Sequence, residues 1–369
     1  MAKITTITPV HISSGNTINY FKKNGLLYPI DAVFDLVEFK EELRTALLNP
    51  TKASQNSFAK LLNVKNIDID INMALNASKD YGIYAKDEAK LIEHTKSMGN
   101  LYIPGSSIKG AIFNVFWYHV LKDNFDIRRH IIKTINENKF NIKNINREVD
   151  RLEREMAPLK ALFRVRDAMF SGASKAIETA RLSKKGINSR GQKNSAIPVG
   201  SVEVIWQKQS LDLEFVIGTK KELDNALNEI NKKNDNLLNS LAKDLYDFIL
   251  NFNEVYPKMN REYMAKVINK ELDFACSITN QMVNKNLYKN IVNNIYELSK
   301  TKVVMQIGKF TNFLDKSCFF ALGEVYEGNF KKIFTPNPKN KSISSIDTCN
   351  LMLINGSYYL PFGYIQIDL

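Results

Sequence analysis

The sequence YIPGSSIKGA at residues 102–111 predicts a strand that turns directly into a helix. Pro104 and Gly105 break the strand, and the apolar residues that follow recur at helical spacing as far as Val120. The first amides and the positive dipole at the start of such a helix favour a phosphate group, and Lys109 adds a positive charge. The segment lacks the spacing of a Walker A loop, and taken alone it is better explained as a plain capped turn.

Strand and helix patterns on both sides of this turn indicate an α+β fold. The predicted strands are residues 4–12, 26–30, 162–167, 177–181, 197–206, 211–217, 303–308, 351–354 and 358–367. The predicted helical regions are residues 35–47, 111–120, 124–160 and 219–300. Residues 13–16 predict a turn after the first strand, and the strands at 197–206 and 211–217 are expected to pair with each other.

The composition describes a folded, basic protein. The chain has 369 residues, 44% hydrophobic residues and a formal net charge of +12. That hydrophobic content excludes a largely disordered chain, and the length suits two domains. A basic excess is typical of proteins that meet phosphates, although it also serves solubility.

The positive charge is concentrated in two windows. Residues 161–200 hold eight Lys and Arg against two Asp and Glu, and residues 301–345 hold seven against three. Both windows fall in strand and loop sequence, which favours a groove that follows a nucleic-acid backbone over a uniformly basic coat. The alternative is that both windows are exposed faces that merely tolerate lysine.

The three cysteines, Cys276, Cys318 and Cys349, are far apart and form no Cys-x-x-Cys pair. This spacing argues against a zinc knuckle or a redox dithiol, and we expect neither a metal nor another cofactor. The N-terminal residues lack the apolar core of a signal peptide, and no run of about 18 apolar residues suggests a membrane span. We therefore expect a cytoplasmic protein with no membrane partner.

Five segments together resemble one protein family. They are TPVHISSG at 8–15, IPGSSIKGA at 103–111, RVRDA at 164–168, QIGKF at 306–310 and PFGY at 361–364. In this order they resemble the RAMP proteins of CRISPR–Cas systems. The resemblance is strongest to the subunit that caps the crRNA 3′ end in type III-A (Csm) effector complexes. The glycine-rich segment of the family is represented by residues 306–317, where Gly308 is the one glycine in its core.

The resemblance implies two tandem ferredoxin-like (RRM-like) domains with helical insertions. The N-terminal domain would be residues 1–205, with an insertion at about 124–160 and a basic loop at 183–195. The C-terminal domain would be residues 206–369, with a larger insertion at about 219–300. The implied partners are crRNA, the repeated backbone RAMP subunit, other Csm subunits and host nucleases.

Basic and hydroxyl side chains, with the backbone amides of 105–109, are the groups that we expect to hold the RNA without reading its bases. These residues are His11, Ser13, Ser14, Gly105, Ser106, Ser107, Lys109, Arg164, Arg166, Arg181, Lys184, Lys185, Arg190, Lys193, Lys309, Thr311, Asn312 and Lys316.

We predict no catalytic residues. Related RAMP proteins include metal-independent endoribonucleases, for which His11 would be the general base, and that activity is the alternative function. A packing role or a contact with RNA backbone suits His11 better, because no second catalytic side chain is placed beside it by spacing. The stretch Ser13–Lys23 holds no carboxylate for a metal-dependent nuclease. A third hypothesis is a scaffold that recruits cellular nucleases and touches RNA weakly.

Overall fold

The computed structural model describes most of the chain and confirms the α+β class. The described residues are 2–23, 26–29, 88–98, 100–137, 142–172, 175–183, 196–309, 348–354 and 357–369. The strands are β1 (Ala2–Thr6), β2 (Ser13–Lys23), β3 (Leu26–Pro29), β4 (Glu88–His94), β5 (Lys96–Ser97), β6 (Asn100–Ile103), β7 (Phe163–Val165), β8 (Ala168–Met169), β9 (Lys175–Ser183), β10 (Ala196–Val204), β11 (Ser210–Leu213), β12 (Phe215–Ile217), β13 (Val303–Gln306), β14 (Thr348–Ile354), β15 (Ser357–Pro361) and β16 (Tyr364–Asp368). The helices are α1 (Gly105–Asp123), α2 (Phe125–Glu137), α3 (Ile142–Glu155), α4 (Ala157–Ala161), α5 (Lys220–Asn231), α6 (Asn236–Leu250), α7 (Phe252–Ser277) and α8 (Lys285–Ser299).

The larger sheet has the strand order β15-β14-β9-β10-β4-β2-β3. Neighbouring strands in it are antiparallel, apart from the parallel pair β10 and β4. Alternate residues of β9 and β10, such as Ile177, Val202 and Val204, are buried with Trp206 in one apolar cluster. The opposite face is buried too, since Ala180 and Leu182 of β9 belong to the main core, so these strands are covered on both faces.

The second sheet joins the two ends of the described chain. Its order is β11-β1-β16-β13, and every neighbouring pair is antiparallel. Ile4 of β1 lies opposite Ile367 of β16, and both are buried. Two smaller sheets, β12-β7 and β5-β6-β8, lie outside these large sheets.

Helix α1 is the central helix of the main core. From Ile108 to Leu121 it is buried on nearly all sides, because it packs against α2, α6, α7 and β7. Its aromatic residues Phe113, Phe116 and Trp117 contribute to a cluster that extends to Phe248 of α6. Burial on this scale explains how a helix without a side-chain N-cap is stable here.

The helical region predicted at 219–300 is confirmed by α5 to α8. Three of these helices begin at residues that satisfy the first amides. Thr219 and Glu222 form a capping box at α5, Asp235 accepts from two amides of α6, and Asn284 accepts from the Leu287 amide of α8. The helical prediction for 124–160 is likewise confirmed by α2, α3 and α4.

The first predicted strand is shorter than expected. Strand β1 ends at Thr6, and residues 7–12 leave the sheet apart from a bridge between Val10 and Ile205. Pro9 has no amide to donate, which helps to end the strand. Residues 13–16 are not a turn but the start of β2, where the register with β4 shifts between Ser13 and Thr17.

The predicted pairing of 197–206 with 211–217 is wrong. Strand β10 pairs with β9 and β4, whereas 211–217 divides at Glu214 into β11, which pairs with β1, and β12, which pairs with β7. The Glu214 carbonyl accepts from the Arg166 amide at 3.0 Å, so the chain passes from one sheet to another at this residue. Alternating apolar residues identify a strand but not its partner.

Each large sheet draws strands from both sides of residue 205, and the division of the chain into domains at that residue stays a prediction. The tandem ferredoxin-like arrangement stays a prediction. The helix predicted at 35–47 and most of the basic loop at 183–195 lie outside the described residues. No helix in the described part of the chain is long and apolar enough to cross a membrane.

Candidate nucleic-acid interface

Three segments that are far apart in sequence meet at one surface cleft of about 480 Å³, here called the motif cleft. The residues that line it are Ile12, Ser13, Ser106, Ser107, Gly110, Ala111, Asn114, Gln306, Ile307, Gly308 and Lys309. They come from the start of β2, the first turns of α1 and the end of β13. Among these residues Lys309 alone carries a charge, and hydroxyl and amide side chains supply most of the remaining polarity.

Backbone hydrogen bonds tie the cleft to the PFGY segment. The Ile307 amide donates to the Gly363 carbonyl at 2.9 Å, and the Gly363 amide donates to the Pro9 carbonyl at 2.9 Å. The Lys309 amide donates to the His11 carbonyl at 3.0 Å. Four of the five segments quoted above are therefore held in one arrangement at the cleft.

Gly308 allows the closest approach in this arrangement. Its φ angle is +102°, a conformation that other residues rarely adopt. A Cβ atom there would lie well inside 3.0 Å of the His11 carbonyl oxygen. The glycine thus lets the Gln306–Lys309 segment cross directly over the chain at His11, and it brings the Lys309 Nζ to 3.2 Å from the Ser13 Oγ.

The start of α1 is held by the RVRDA segment. The Gly105 amide donates to the Asp167 Oδ1 at 2.7 Å, and the Ser107 amide donates to the Pro104 carbonyl at 2.9 Å. The Ile108 amide also donates to the Pro104 carbonyl, at 3.4 Å, so three of the amides that were expected to bind phosphate are already used within the chain. The groups that α1 presents to the cleft are the side chains of Ser106, Ser107 and Asn114.

His11 lies beneath the cleft rather than in it. Its side chain is 1% exposed, and Nδ1 donates to the Glu203 carbonyl at 2.7 Å. Its ring packs edge to face on His94 at 5.8 Å, and burial lowers the pKa of both imidazoles to about 4. This burial corrects the expectation that the His11 side chain contacts RNA and supports the packing role.

Glu203 connects this pair of histidines to the surface. Its Oε2 accepts from the His94 amide at 3.1 Å and forms an ion pair with the Lys96 Nζ at 3.1 Å. The Glu203 side chain is fully buried, whereas Lys96 is partly exposed. The network is thus a structural support under the motif cleft.

Lys109 points away from the cleft. Its Nζ donates to the carbonyls of Lys160 and Phe163 at 2.6 Å each, and burial, together with Lys160 and Arg164, lowers its pKa. On the helix, Lys109 lies on the side opposite Ser107 and Asn114. This position corrects the expectation that Lys109 completes the phosphate site of residues 105–109.

The remaining predicted contacts are spread over other surfaces. Arg164 is exposed on β7, and Arg166 forms an ion pair with Glu214 at 2.9 Å; neither lines the cleft. The Ser14 hydroxyl donates to Glu93. Arg181 lies in β9, in register with Asn350 of β14. Lys184, Lys185, Arg190, Lys193, Thr311, Asn312 and Lys316 lie outside the described residues.

Asn114 and Gln306 line the cleft but were not predicted from the sequence. Asn114 follows Gly110 by four residues and Ser106 by eight, so small and polar residues recur on one face of an otherwise apolar helix. That spacing was a signal for a polar surface. Among the described residues, no group of three His, Cys, Asp or Glu could hold a metal ion.

A model of the RAMP superfamily matches residues 3–323. The chain belongs to the RAMP superfamily, as the resemblance of its motifs implied.

The proteins to which this chain is similar include proteins described as Csm5 and a chain of a Csm complex. A protein of Methanocaldococcus jannaschii described as "CRISPR system Cms protein Csm5" is 25% identical over 402 positions, which cover 100% of this chain and 88% of that protein. Among solved structures, a chain of a type III-A Csm–crRNA–target RNA ternary complex matches with a TM-score of 0.65 and 17% identity, over 100% of both chains. Csm5 from T. onnurineus matches with a TM-score of 0.58 and 16% identity, over 99% of both chains. The resemblance to a Csm5-like RAMP subunit is therefore confirmed.

Proposed function

We propose that this chain is a structural, crRNA-binding subunit of a type III-A CRISPR effector complex. It caps the 3′ end of the guide, is needed for crRNA maturation and antiviral defence, and has no catalytic activity of its own. The observation that carries the proposal is that three RAMP-like segments line the motif cleft and a fourth, PFGY, is hydrogen-bonded to two of them. The similarity to Csm5 and to a chain of a Csm–crRNA–target RNA complex supports the choice of complex.

The motif cleft suits a sugar-phosphate chain. The hydroxyls of Ser13, Ser106 and Ser107 are donors for phosphate and ribose oxygens, and the ammonium group of Lys309 supplies a positive charge. The N-terminal end of α1 adds its dipole to the same surface. None of these groups distinguishes one base from another, so the guide is held by its backbone and placed by assembly.

Catalysis by His11 is disfavoured by its geometry. A general base must reach the proton that it removes, and this imidazole is buried with Nδ1 bonded to a carbonyl. Purified protein should therefore leave CRISPR repeat RNA uncut in the absence of divalent metal. Cleavage that disappears in His11→Ala would instead establish the endoribonuclease alternative.

The proposed neighbours are the repeated backbone RAMP subunit and other Csm subunits, with host nucleases as further partners in guide trimming. Lys184, Lys185, Arg190, Lys193, Thr311, Asn312 and Lys316 remain proposed RNA contacts. The proposed location is the cytoplasm, where such a complex would meet its guide RNA.

The cleft can be tested by RNA binding at several salt concentrations. A Ser106→Ala/Ser107→Ala/Lys309→Ala variant should bind a single-stranded crRNA 3′ fragment at least about fivefold more weakly. The slope of its log affinity against log salt concentration should become shallower by the amount expected for about one phosphate contact. Fluorescence anisotropy with labelled RNA measures both quantities.

Lys289→Ala is the matched control, because Lys289 is an exposed lysine on α8 that does not line the cleft. It should bind RNA like the wild type. Equal losses in the two variants, or an affinity that does not depend on salt, would contradict the cleft as the RNA site.

A further inference from the structure

A second concave surface of about 540 Å³ lies at the other end of α1, and we call it the acidic groove. Helices α1, α6 and α7 and the beginning of α2 form it. Its lining residues are Phe116, His119, Val120, Asp123, Asn124, Phe125, Asp244, Asp247, Phe248, Asn251, Val255 and Met259. Half of them are apolar, so the groove combines an apolar floor with carboxylates.

The charge of the groove is opposite to that of the whole chain. Within its lining Asp123, Asp244 and Asp247 are the residues with a formal charge, while the chain carries +12. Asp123 is the last residue of α1 and Asp247 lies in the last turn of α6. Carboxylates at these positions oppose the negative ends of the two helix dipoles, so helix stability does not explain them.

The lining only partly compensates this charge: the His119 Nδ1 lies 3.6 Å from the Asp123 Oδ2 and is a cation only when it is protonated. Burial raises the pKa of Asp244, and the carboxylates of Asp247 and Asp123 act in the same direction. A hydrogen bond from the Asn124 side-chain amide at 2.7 Å and the charge of Lys243 oppose the shift. Phe125, at the edge of the groove, is 60% exposed. Negative charge and apolar surface are therefore both available to a partner.

This combination fits a cationic side chain carried on an apolar segment. A guanidinium group pairs with carboxylates and stacks on aromatic rings. The apolar side chains beside it in the partner segment would cover the apolar floor of the groove. RNA would be repelled by the three carboxylates. We propose that the acidic groove is a docking site for a segment of another protein subunit, and that this segment presents an arginine or lysine between apolar side chains. That the subunit belongs to the effector complex rests on the proposed function.

The first experiment uses the assembled complex. The photoreactive residue benzoylphenylalanine replaces Phe125 in the full chain, which is produced with its co-encoded effector subunits and crRNA. Mass spectrometry should identify a crosslink to a basic peptide of another subunit. Benzoylphenylalanine at Met282, a 54% exposed residue outside the groove, is the positional control and should not give that crosslink.

The second variant pair tests the charges. Asp123→Lys/Asp247→Lys should reduce the crosslink yield by about tenfold, whereas Asp212→Lys/Asp273→Lys, at exposed aspartates elsewhere, should not. The groove substitutions place positive charge at helix C-terminal ends, so a loss is not expected to come from unfolding. Retention of crRNA in the same particle separates this inference from the proposed function.

A binding assay on the purified chain does not require the complex. A fluorescein-labelled amphipathic peptide of leucine and arginine should bind the wild type, and should bind Asp123→Lys/Asp247→Lys about tenfold more weakly. A crosslink to RNA or to a second copy, an equal loss in the control pair, or no binding in this assay would overturn the docking site.

Discussion

The two ends of helix α1 carry opposite kinds of surface. Its N-terminal end lines the motif cleft, where hydroxyls and Lys309 prevail and the first turn has no acidic residue. Its C-terminal end lines the acidic groove and finishes at Asp123. Lys122 is the basic residue of that last turn, and its Nζ is paired with Glu262. The first turn thus lacks a stabilising acidic residue, and at the other end Asp123 opposes the favourable effect of Lys122.

The difference between the two ends shows that different parts of α1 serve stability and binding. The middle of α1, from Ile108 to Leu121, is buried and supplies its stability, so its ends need not be optimised for the helix itself. Each end is then available for a ligand of the opposite charge. An anionic RNA backbone at one end and a cationic protein segment at the other follow from the same arrangement.

The largest expected effect concerns the motif cleft, at the N-terminal end of α1. Gly308→Ala introduces a Cβ against the His11 carbonyl at a φ of +102°, so it should lower the free energy of unfolding by about 4 kcal/mol. RNA affinity should fall as well, because the Gln306–Lys309 segment is displaced. Urea unfolding and RNA anisotropy measure the two effects.

Gly110→Ala is the control for Gly308→Ala. Gly110 lines the same cleft, but it is helical and a Cβ there meets nothing within 4 Å. This substitution should stabilise the protein by about 1 kcal/mol. If both alanines have the same effect, the close approach at Gly308 is not the reason for its glycine.

The second effect concerns the interior beneath the motif cleft. The pKa values of His11 and His94 fall from 6.5 to about 4 in the folded chain, mainly by burial. Between these pH values the unfolded chain binds protons that the folded chain does not, so stability falls as pH falls. Each imidazole should account for up to about 3 kcal/mol by pH 4. Urea unfolding at a series of pH values measures this loss.

His11→Asn keeps a donor towards the Glu203 carbonyl and removes one titrating group. It should abolish about half of the loss that the two imidazoles cause, and His94→Asn should abolish the other half. The difference between the pH profiles of the variant and the wild type isolates the contribution of the imidazoles from that of the carboxylates. A pH profile that neither variant alters would mean that these histidines are not buried neutral.

The third and smallest effect tests which residues of α1 belong to the motif cleft. Lys109→Met removes two hydrogen bonds, to the carbonyls of Lys160 and Phe163, and should cost about 2 kcal/mol of stability. RNA affinity should stay within about twofold of the wild type, because Lys109 faces away from the cleft. If Lys109→Met lost as much RNA affinity as the triple variant of the cleft, Lys109 would have to be counted among the RNA-binding residues.

Local patterns predicted the helices and several strands well. The run after Gly105 and the region 219–300 were predictable as helices because their apolar spacing is a property of residues close together in sequence. The partners of 211–217 were not predictable in this way. A change of sheet at Glu214 depends on residues near positions 4 and 164, far away in sequence.

The same limit applies to the candidate site. The segments that carry Ser106 and Lys309 were identified from the sequence, but the direction of Lys109 and the burial of His11 depend on tertiary packing. The acidic groove gave no signal, since Asp123 and Asp247 lie on different helices. Spacing reveals chemistry within one element and not between elements.

The pairing of β1 with β16 has a consequence for how the protein is made. The Tyr364 amide bonds to the Thr8 hydroxyl across 356 positions of sequence, and the motif cleft is tied to Gly363. Contacts of such high contact order form late and slowly. A nascent chain still on the ribosome lacks these bonds until residues 363–368 emerge, so incomplete translation products should be unable to compete with finished subunits for guide RNA.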